Sequence, residues 1–327
     1  MNLALRFLFA PALLLAMGTA HSAVEDLAEP LAAASQAMQS GDYAAAFEEY
    51  LRHAQENDNP LAQFSLALML EKGQGHAADQ RQACAWYAKS AQSKQVPYAA
   101  HKHADCLASG LGGQQDALAA AQWYQQAADM GHFPSLCSLG ELHMNGTGGI
   151  AKNPQRGLSL CAEAAGQGSP WAQMRLAEMY LEGDQAIRDR AQGLDWLEAA
   201  AGNGLIDAQY ELGSRLLASL AEKPDNLDAA VFWLEYAASK GHVAAYVPLG
   251  ETYFSAVKRA QDDQQASRML AKAYLWLKAA ELRGEEIAGH ANVAPLLAQV
   301  RAEMPETWVE SLDAKVAEHL ASLKPQS

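Results

Sequence analysis

Apolar residues along the chain follow two nested periods. Over short stretches they fall at helical spacing, as in Ala172, Leu176, Ala177 and Tyr180. Steps of four, one and three place all four on one helix face. Over longer stretches the pattern returns about every 37 residues. Pro60, Pro97 and Pro134 are 37 apart, and Pro170 follows 36 later. Trp86, Trp123, Trp196, Trp233 and Trp276 hold one comparable place, with Leu160 in that place between Trp123 and Trp196. The steps are 37, 37, 36, 37 and 43, and an insertion near Lys258–Gln264 accounts for the last.

Six units align: Leu61–Lys94, Tyr98–Gly131, Pro134–Gly168, Trp171–Gly204, Asp207–Gly241 and Ala244–Gly284. Each predicts a helix, a turn and a second helix. The turn carries Gly73/Gly75, Gly110/Gly112, Gly146/Gly148 or Gly183. The second helix ends at a Gly, where a left-handed cap favours that residue. Pro then opens the next helix in its first turn, where the absent N–H is harmless. Ala and Gly at facing positions let two backbones approach closely, and Trp or Tyr is expected to fill the wedge between neighbouring hairpins. One hairpin cannot bury its own apolar face, so each needs neighbours. The expected fold is all-α: an α/α right-handed superhelical solenoid of antiparallel helix hairpins.

The residues that recur are Ala208, Leu212, Gly213, Ala230, Trp233, Ala237, Ala238 and Gly241, and again Leu139, Gly140, Gly146, Gly148, Ala164, Ala165 and Gly168. This pattern resembles the Sel-one-like repeat family, a branch of the tetratricopeptide superfamily. The resemblance covers about 61–284. Three units depart from it. The fifth has Lys223-Pro224-Asp225 in place of the Gly turn, the third has Leu160 for the aromatic, and the sixth carries the insertion.

The ends of the chain read differently. Residues 1–23 place Arg6 before an apolar run from Phe7 to Met17, followed by small residues, which is the order of a secretory signal. The run is too short to span a bilayer. Export is expected, to a bacterial periplasm or beyond the cell. Residues 24–59 read as a divergent N-terminal hairpin or cap, 60–286 as the six repeats and 287–327 as a C-terminal helical cap, with Glu306–Leu323 as one amphipathic helix. A solenoid needs such polar-faced ends.

Composition narrows the function. Of 327 residues, 50 % are apolar, and Ala, which suits close helix packing, is the commonest of these. Against 24 basic residues stand 38 acidic ones, a formal net charge of −14. A nucleic-acid surface needs a basic stripe, so that class is excluded, as is attraction to an anionic membrane. No segment after the first is long and apolar enough for membrane insertion.

No motif announces catalysis. Gly146-Thr147-Gly148-Gly149 lacks the Lys-Ser/Thr tail of a phosphate loop and falls at a repeat turn. His101-Lys102-His103 places its two imidazoles on different sides of a helix, and His103 takes a core Leu place. Neither a metal nor a cofactor is expected. Ser255 and Lys258 have the Ser-x2-Lys spacing of penicillin-interacting enzymes, and some cysteine-rich members of the resembled family are linked to β-lactams. The companion Ser-Asp-Asn and Lys-Thr-Gly elements are absent. This cell-wall or β-lactam enzyme is the alternative to a non-catalytic protein. Four Cys in an exported chain permit disulfides. Cys84 and Cys106 lie on helices expected to be antiparallel neighbours. Cys137 and Cys161 share one unit, on differing predicted faces. The pairing stays open, and free thiols remain an option.

The resemblance also implies a binding face. In tetratricopeptide hairpins the first helices line a concave surface. The corresponding places here hold Phe64, Leu68, Glu71, Tyr98, His101, Asp105, Glu141 and Met144, then Trp171, Met174, Glu178, Tyr210, Glu251 and Phe254. Aromatic, Met and acidic residues alternate. Such a face suits a protein or peptide ligand with apolar anchors beside Lys or Arg. About half of these residues are expected to face the groove.

Overall fold

The fold was taken from a computed structural model that describes residues 26–284 and 292–323. The signal-like segment, Ile287 and the last four residues lie outside the described residues. The described chain contains sixteen α-helices and no strand. It divides into two compact units after Gln167.

The first unit opens with a 3-10 turn, Glu29–Leu31, and holds α1 (Ala32–Ser40), α2 (Tyr43–Glu56), α3 (Pro60–Lys72), α4 (Gln80–Gln92), α5 (Pro97–Ser109), α6 (Ala117–Asp129), α7 (Ser135–Asn145) and α8 (Pro154–Gly166). The second holds α9 (Pro170–Glu182), α10 (Arg190–Gly202), α11 (Ile206–Ala218), α12 (Leu227–Ser239), α13 (Tyr246–Val257), α14 (Asp263–Arg283), α15 (Val293–Glu303) and α16 (Val309–Ser322). Within each unit the helices pack on the next in sequence as far as α15, and α15 and α16 both pack on α14. This is the hairpin stacking that the 37-residue period predicts.

Local chemistry sets the period. Asp79, Asp116, Asn153 and Asp189 each precede a second helix, and their side chains accept the backbone N–H of Gln82, Ala119, Arg156 and Gln192. These four N-caps satisfy donors that the helix start would otherwise orphan, whereas the second helix of the fifth repeat, after Asn226, has no side-chain cap. Four second helices are followed by a left-handed glycine: Gly131, Gly168, Gly204 and Gly241. The first hairpin has Lys94 in that conformation instead, at φ +56°.

Close approach is clearest between α7 and α8. A Cβ added to Gly140 would sit 2.5 Å from the Gly157 carbonyl oxygen, so neither position admits a side chain without separating the helices. The core between helices is mainly Ala, as at Ala62, Ala99, Ala172, Ala208 and Ala245, all with no exposed surface.

Several expectations are corrected. The indoles fill the wedge only in part: Trp86, Trp123, Trp196, Trp233 and Trp276 pack against the core but are half-buried. The residue after each is the buried one, namely Tyr87, Tyr124, Leu197, Leu234 and Leu277. Consecutive helix residues point about 100° apart, so a one-residue offset exchanges core for surface. The insertion before Gln264, to which the sequence pattern assigns no structure, is absorbed into helix. It extends α14 to 21 residues, against 13 in α12. His103 is half-buried, with its ring edge-on to Trp123 at 5.0 Å.

Two disulfides are present. Cys84–Cys106 joins α4 to α5, across hairpins, at a Cα–Cα distance of 5.8 Å. Cys137–Cys161 joins α7 to α8 within one hairpin at 4.1 Å. The differing predicted faces of the second pair did not prevent bonding, because the Gly140–Gly157 crossing brings the backbones together. No Cys is free.

Candidate functional site

In the first unit the first-helix places hold one connected cluster. Phe64 meets Tyr98 edge-on at 5.6 Å. Tyr98 stacks on His101 at 5.7 Å and leans on His132 at 5.1 Å, leaving its ring 44 % exposed. Ser135 Oγ lies 3.0 Å from His101 Nδ1 and 2.8 Å from His132 Nδ1. A hydroxyl has one proton, so it donates to one ring and accepts from the other. Asp105 lies 3.5 Å from His101 Nε2 and draws that ring's N–H to its side. Ser135 therefore donates to His101 and accepts from His132. Tyr124 completes the chain by donating to Asp105 at 2.7 Å.

The electrostatics follow from burial. Desolvation lowers the His101 and His132 pKa values to about 4, helped by Lys102 and by the neighbouring ring respectively. Both are neutral at pH 7. Burial pushes the Asp105 carboxyl up, against the opposing pull of the Tyr124 hydroxyl and the Lys102 charge. Burial likewise disfavours the Glu71 carboxylate, but Lys102 at 2.8 Å and Tyr87 at 2.5 Å outweigh it, and its pKa is lowered. Ser, His and Asp thus meet in one network, yet Ser135 has no exposed surface. A nucleophile must reach its substrate, and this hydroxyl is committed to two imidazoles. The network orients the Tyr98 ring. Glu141 and Met144 continue the line on α7, both half-buried, and Met144 covers Gly157.

The second unit places its residues differently. Trp171 is 42 % exposed, and the Arg175 guanidinium lies 6.0 Å from its ring centre. Arg175 pairs with Glu178. Met174 is half-buried against the core of α9–α11. Tyr210 stacks on His242 at 4.3 Å. Glu251 is exposed and Phe254 half-buried. None of the thirteen aromatic, Met, His and acidic places is fully buried, and Tyr98, Trp171 and Glu251 are exposed. Arg215 bonds both Glu182 and Glu211, so part of the acidic character of α9 and α11 is neutralised.

Sequence reasoning missed the partners. His132, Ser135 and Tyr124 fix His101 and Asp105, and Lys102 pairs with Glu71 across 31 residues. The Arg175–Glu178 pair was legible as an i, i+3 spacing. Ser255 and Lys258 form no acyl-transfer geometry: Ser255 Oγ donates to the Thr252 carbonyl at 2.9 Å, and Lys258 ends α13. Among the described residues no group of His, Cys, Asp or Glu could hold a metal ion. No helix among them is long and apolar enough to cross a membrane.

Known proteins place the fold. The Sel1 repeat model matches residues 60–94, 97–132, 134–169, 172–205 and 206–242, together more than half of the chain. The sixth unit, α13–α14, falls outside the match but repeats the hairpin. Among solved structures, one is c5321, described as a protective antigen of uropathogenic Escherichia coli with an SLR fold. It aligns at a TM-score of 0.57 and 24 % identity, over 87 % of this chain and 58 % of that one. A Sel1 repeat protein from Oxalobacter formigenes aligns at a TM-score of 0.51 and 31 % identity, over 59 % of this chain and 76 % of that one. This chain thus spans little more than half the length of c5321. No curated protein matches the sequence. Five matched repeats, stacked hairpins and polar caps on the second helices of four of those repeats lead to one assignment: the chain belongs to the Sel1 repeat family.

Proposed function

We propose that the protein is a non-catalytic repeat scaffold, exported to the bacterial periplasm or secreted, that binds a protein or peptide through its first-helix faces. The observation that carries this reading is the partial exposure of these thirteen first-helix residues, in a chain whose other recurrent residues serve packing and capping. Tyr98 and Trp171 present rings oriented by neighbouring side chains, the kind of anchor that dominates interface energetics. The carboxylates of Glu251 and Glu141 favour a partner with Lys or Arg beside apolar groups. A role in envelope signalling or assembly fits an exported scaffold.

Site-specific photo-crosslinking in the native envelope tests this. A crosslinker at Tyr98 or at Trp171 should capture one common partner, and a crosslinker at Gln92, on a second helix, should not. Replacing Tyr98 or Trp171 with Ala should weaken binding of that partner by about 2 kcal/mol each. Adducts from Gln92 alone would move the interface elsewhere. Affinity that does not change with salt would remove charge complementarity as a driver. Covalent labelling by a fluorescent penicillin, lost in Ser255→Ala, would replace the scaffold with the enzyme.

A further inference from the structure

The first unit carries a second feature, away from the first-helix faces. An open trough of about 640 Å³ lies between α6, α7 and α8, with Lys94 from the α4–α5 turn at its edge. Its volume falls within the usual range for ligand sites. Gln122 and Gln126, one helical turn apart on α6, line one wall. Met130 and Leu139 supply apolar floor, and Arg156 on α8 lines it with Lys94.

Three observations single it out. Lys94 stands in left-handed backbone at the place where four other repeats have Gly. A non-Gly residue there costs about 1–3 kcal/mol, and such strain persists where the rest of the fold enforces it. Arg156 occupies the first turn of α8, where the helix dipole disfavours a cation. Gln126 Nε2 is buried and donates to no protein acceptor. Neither Lys94 nor Arg156 has an ion-pair partner among the described residues, although acidic residues outnumber basic ones 38 to 24 along the chain. The one carboxylate on the rim, Asp129, accepts the Gln125 amide at 2.9 Å.

We propose that this trough is a second binding site, for an acidic peptide segment in extended conformation. Lys94 and Arg156 take its carboxylates, the α6 amides take its backbone C=O and N–H groups, and Met130 and Leu139 take an apolar side chain. The lining holds no Trp, Tyr or Phe on which a sugar ring would stack, its one aromatic ring being the small imidazole of His143, which favours peptide over acidic glycan. This site prefers charge opposite to the partner of the first-helix faces, so the two readings stand or fall separately.

Fluorescence anisotropy of the full exported chain tests it. The probe is a labelled hexapeptide pool with Asp or Glu alternating with Ala, Val or Leu. A saturable rise is expected at low ionic strength. Lys94→Gly installs the residue of the other repeats, so it should leave thermal stability equal or higher while weakening the pool about tenfold. Arg156→Glu should weaken it similarly, and Gln126→Leu, which keeps the volume, by less. No saturable rise up to about 1 mM, below which even weak specific binding registers, overturns the proposal. So does undiminished affinity in Lys94→Gly. Tighter binding of oligogalacturonate than of the peptides overturns the ligand class. Unaltered pool binding in Tyr98→Ala and Trp171→Ala would keep this site distinct from the first-helix faces.

Discussion

The two units build the same hairpin from different interiors. In the first, the buried place on the second helix is Tyr87 in one repeat, Tyr124 in the next and Cys161 in the third. Both tyrosines donate to a carboxylate on the first helix of their own hairpin, Glu71 and Asp105, and Cys161 bonds Cys137. In the second unit the same place holds Leu197, Leu234 and Leu277, none more than 1 % exposed. Both disulfides lie in the first unit, and no Cys follows Cys161. A repeat therefore fixes where the buried side chain sits and how large the gap is, not what chemistry fills it. Leu needs no partner. Tyr needs an acceptor, because a buried hydroxyl without one costs about 1–3 kcal/mol. The first unit thus requires several side chains to be right together, and covalent links hold it.

The strongest way to break this contrast is to remove the links. Each disulfide closes a loop of just over 20 residues. Chain entropy alone then gives about 3 kcal/mol apiece. Reduction should lower the stability of the first unit by about 6 kcal/mol, and a Cys137→Ala, Cys161→Val variant by about half that. Hydrogen exchange with and without reductant reads it: protection should fall across α4–α8 and hold in α11–α14. Equal loss in both units would mean that the stapled interior is not a local device.

Acid sharpens the contrast further. His101 and His132 fold with pKa values near 4, below the ordinary 6.5, so the folded state binds fewer protons than the unfolded chain in between. Stability falls as pH drops from about 6.5 to 4, and the loss is complete below the folded values. Two largely buried imidazoles make this a few kcal/mol. A His101→Gln, His132→Gln variant should flatten the melting temperature between pH 7 and 4.5, whatever it costs at pH 7. His242 and His319 are also depressed, by burial, so a residual slope from the second unit is expected. If the slope were unchanged in the double variant, the paired rings would not be its source.

Much of this was legible in the sequence, and the limits are physical. Period alone located the hairpins and the antiparallel neighbours that bring Cys84 to Cys106, but not the N-caps at Asp79, Asp116, Asn153 and Asp189. It missed rotation about the helix axis. Trp86 and Tyr87 differ by one residue, and only packing against α3 decides which is buried. It left the Cys137–Cys161 bond undecided for a related reason, since the spacing of α7 and α8 depends on Gly140 facing Gly157. The first-helix line was readable by place, but the bonds that orient it join Lys102 to Glu71 and Ser135 to His101, over 30 residues apart. No local signal carries such pairs. The trough was hidden too, because Lys94 reads as an ordinary surface lysine until the glycines of the other repeats are aligned with it.

The finest test separates the two tyrosines of the first unit. Tyr87→Phe removes a donor from Glu71, but Lys102 still holds that carboxylate at 2.8 Å. The cost should be about 1 kcal/mol, with the Glu71 pKa rising toward its ordinary value. Glu71 folds with a depressed pKa, so its contribution is present above the unfolded value and lost as pH falls through the folded one. Weakening the depression should shrink that acid-side loss. Tyr124→Phe is expected to cost more, about 2 kcal/mol, because the remaining neighbour of Asp105 is a neutral imidazole at 3.5 Å. Asp105 already carries a raised pKa from burial, and losing the hydroxyl raises it again. Its ionisation then opposes folding more strongly as pH rises from the unfolded to the folded value. Chemical denaturation at pH 7 ranks the two variants, and carboxyl titration by NMR assigns the cause. Equal costs would mean that Lys102 adds nothing to Glu71, and negligible costs in both would mean that the tyrosines act in the interior as Leu197 and Leu234 do, by volume alone.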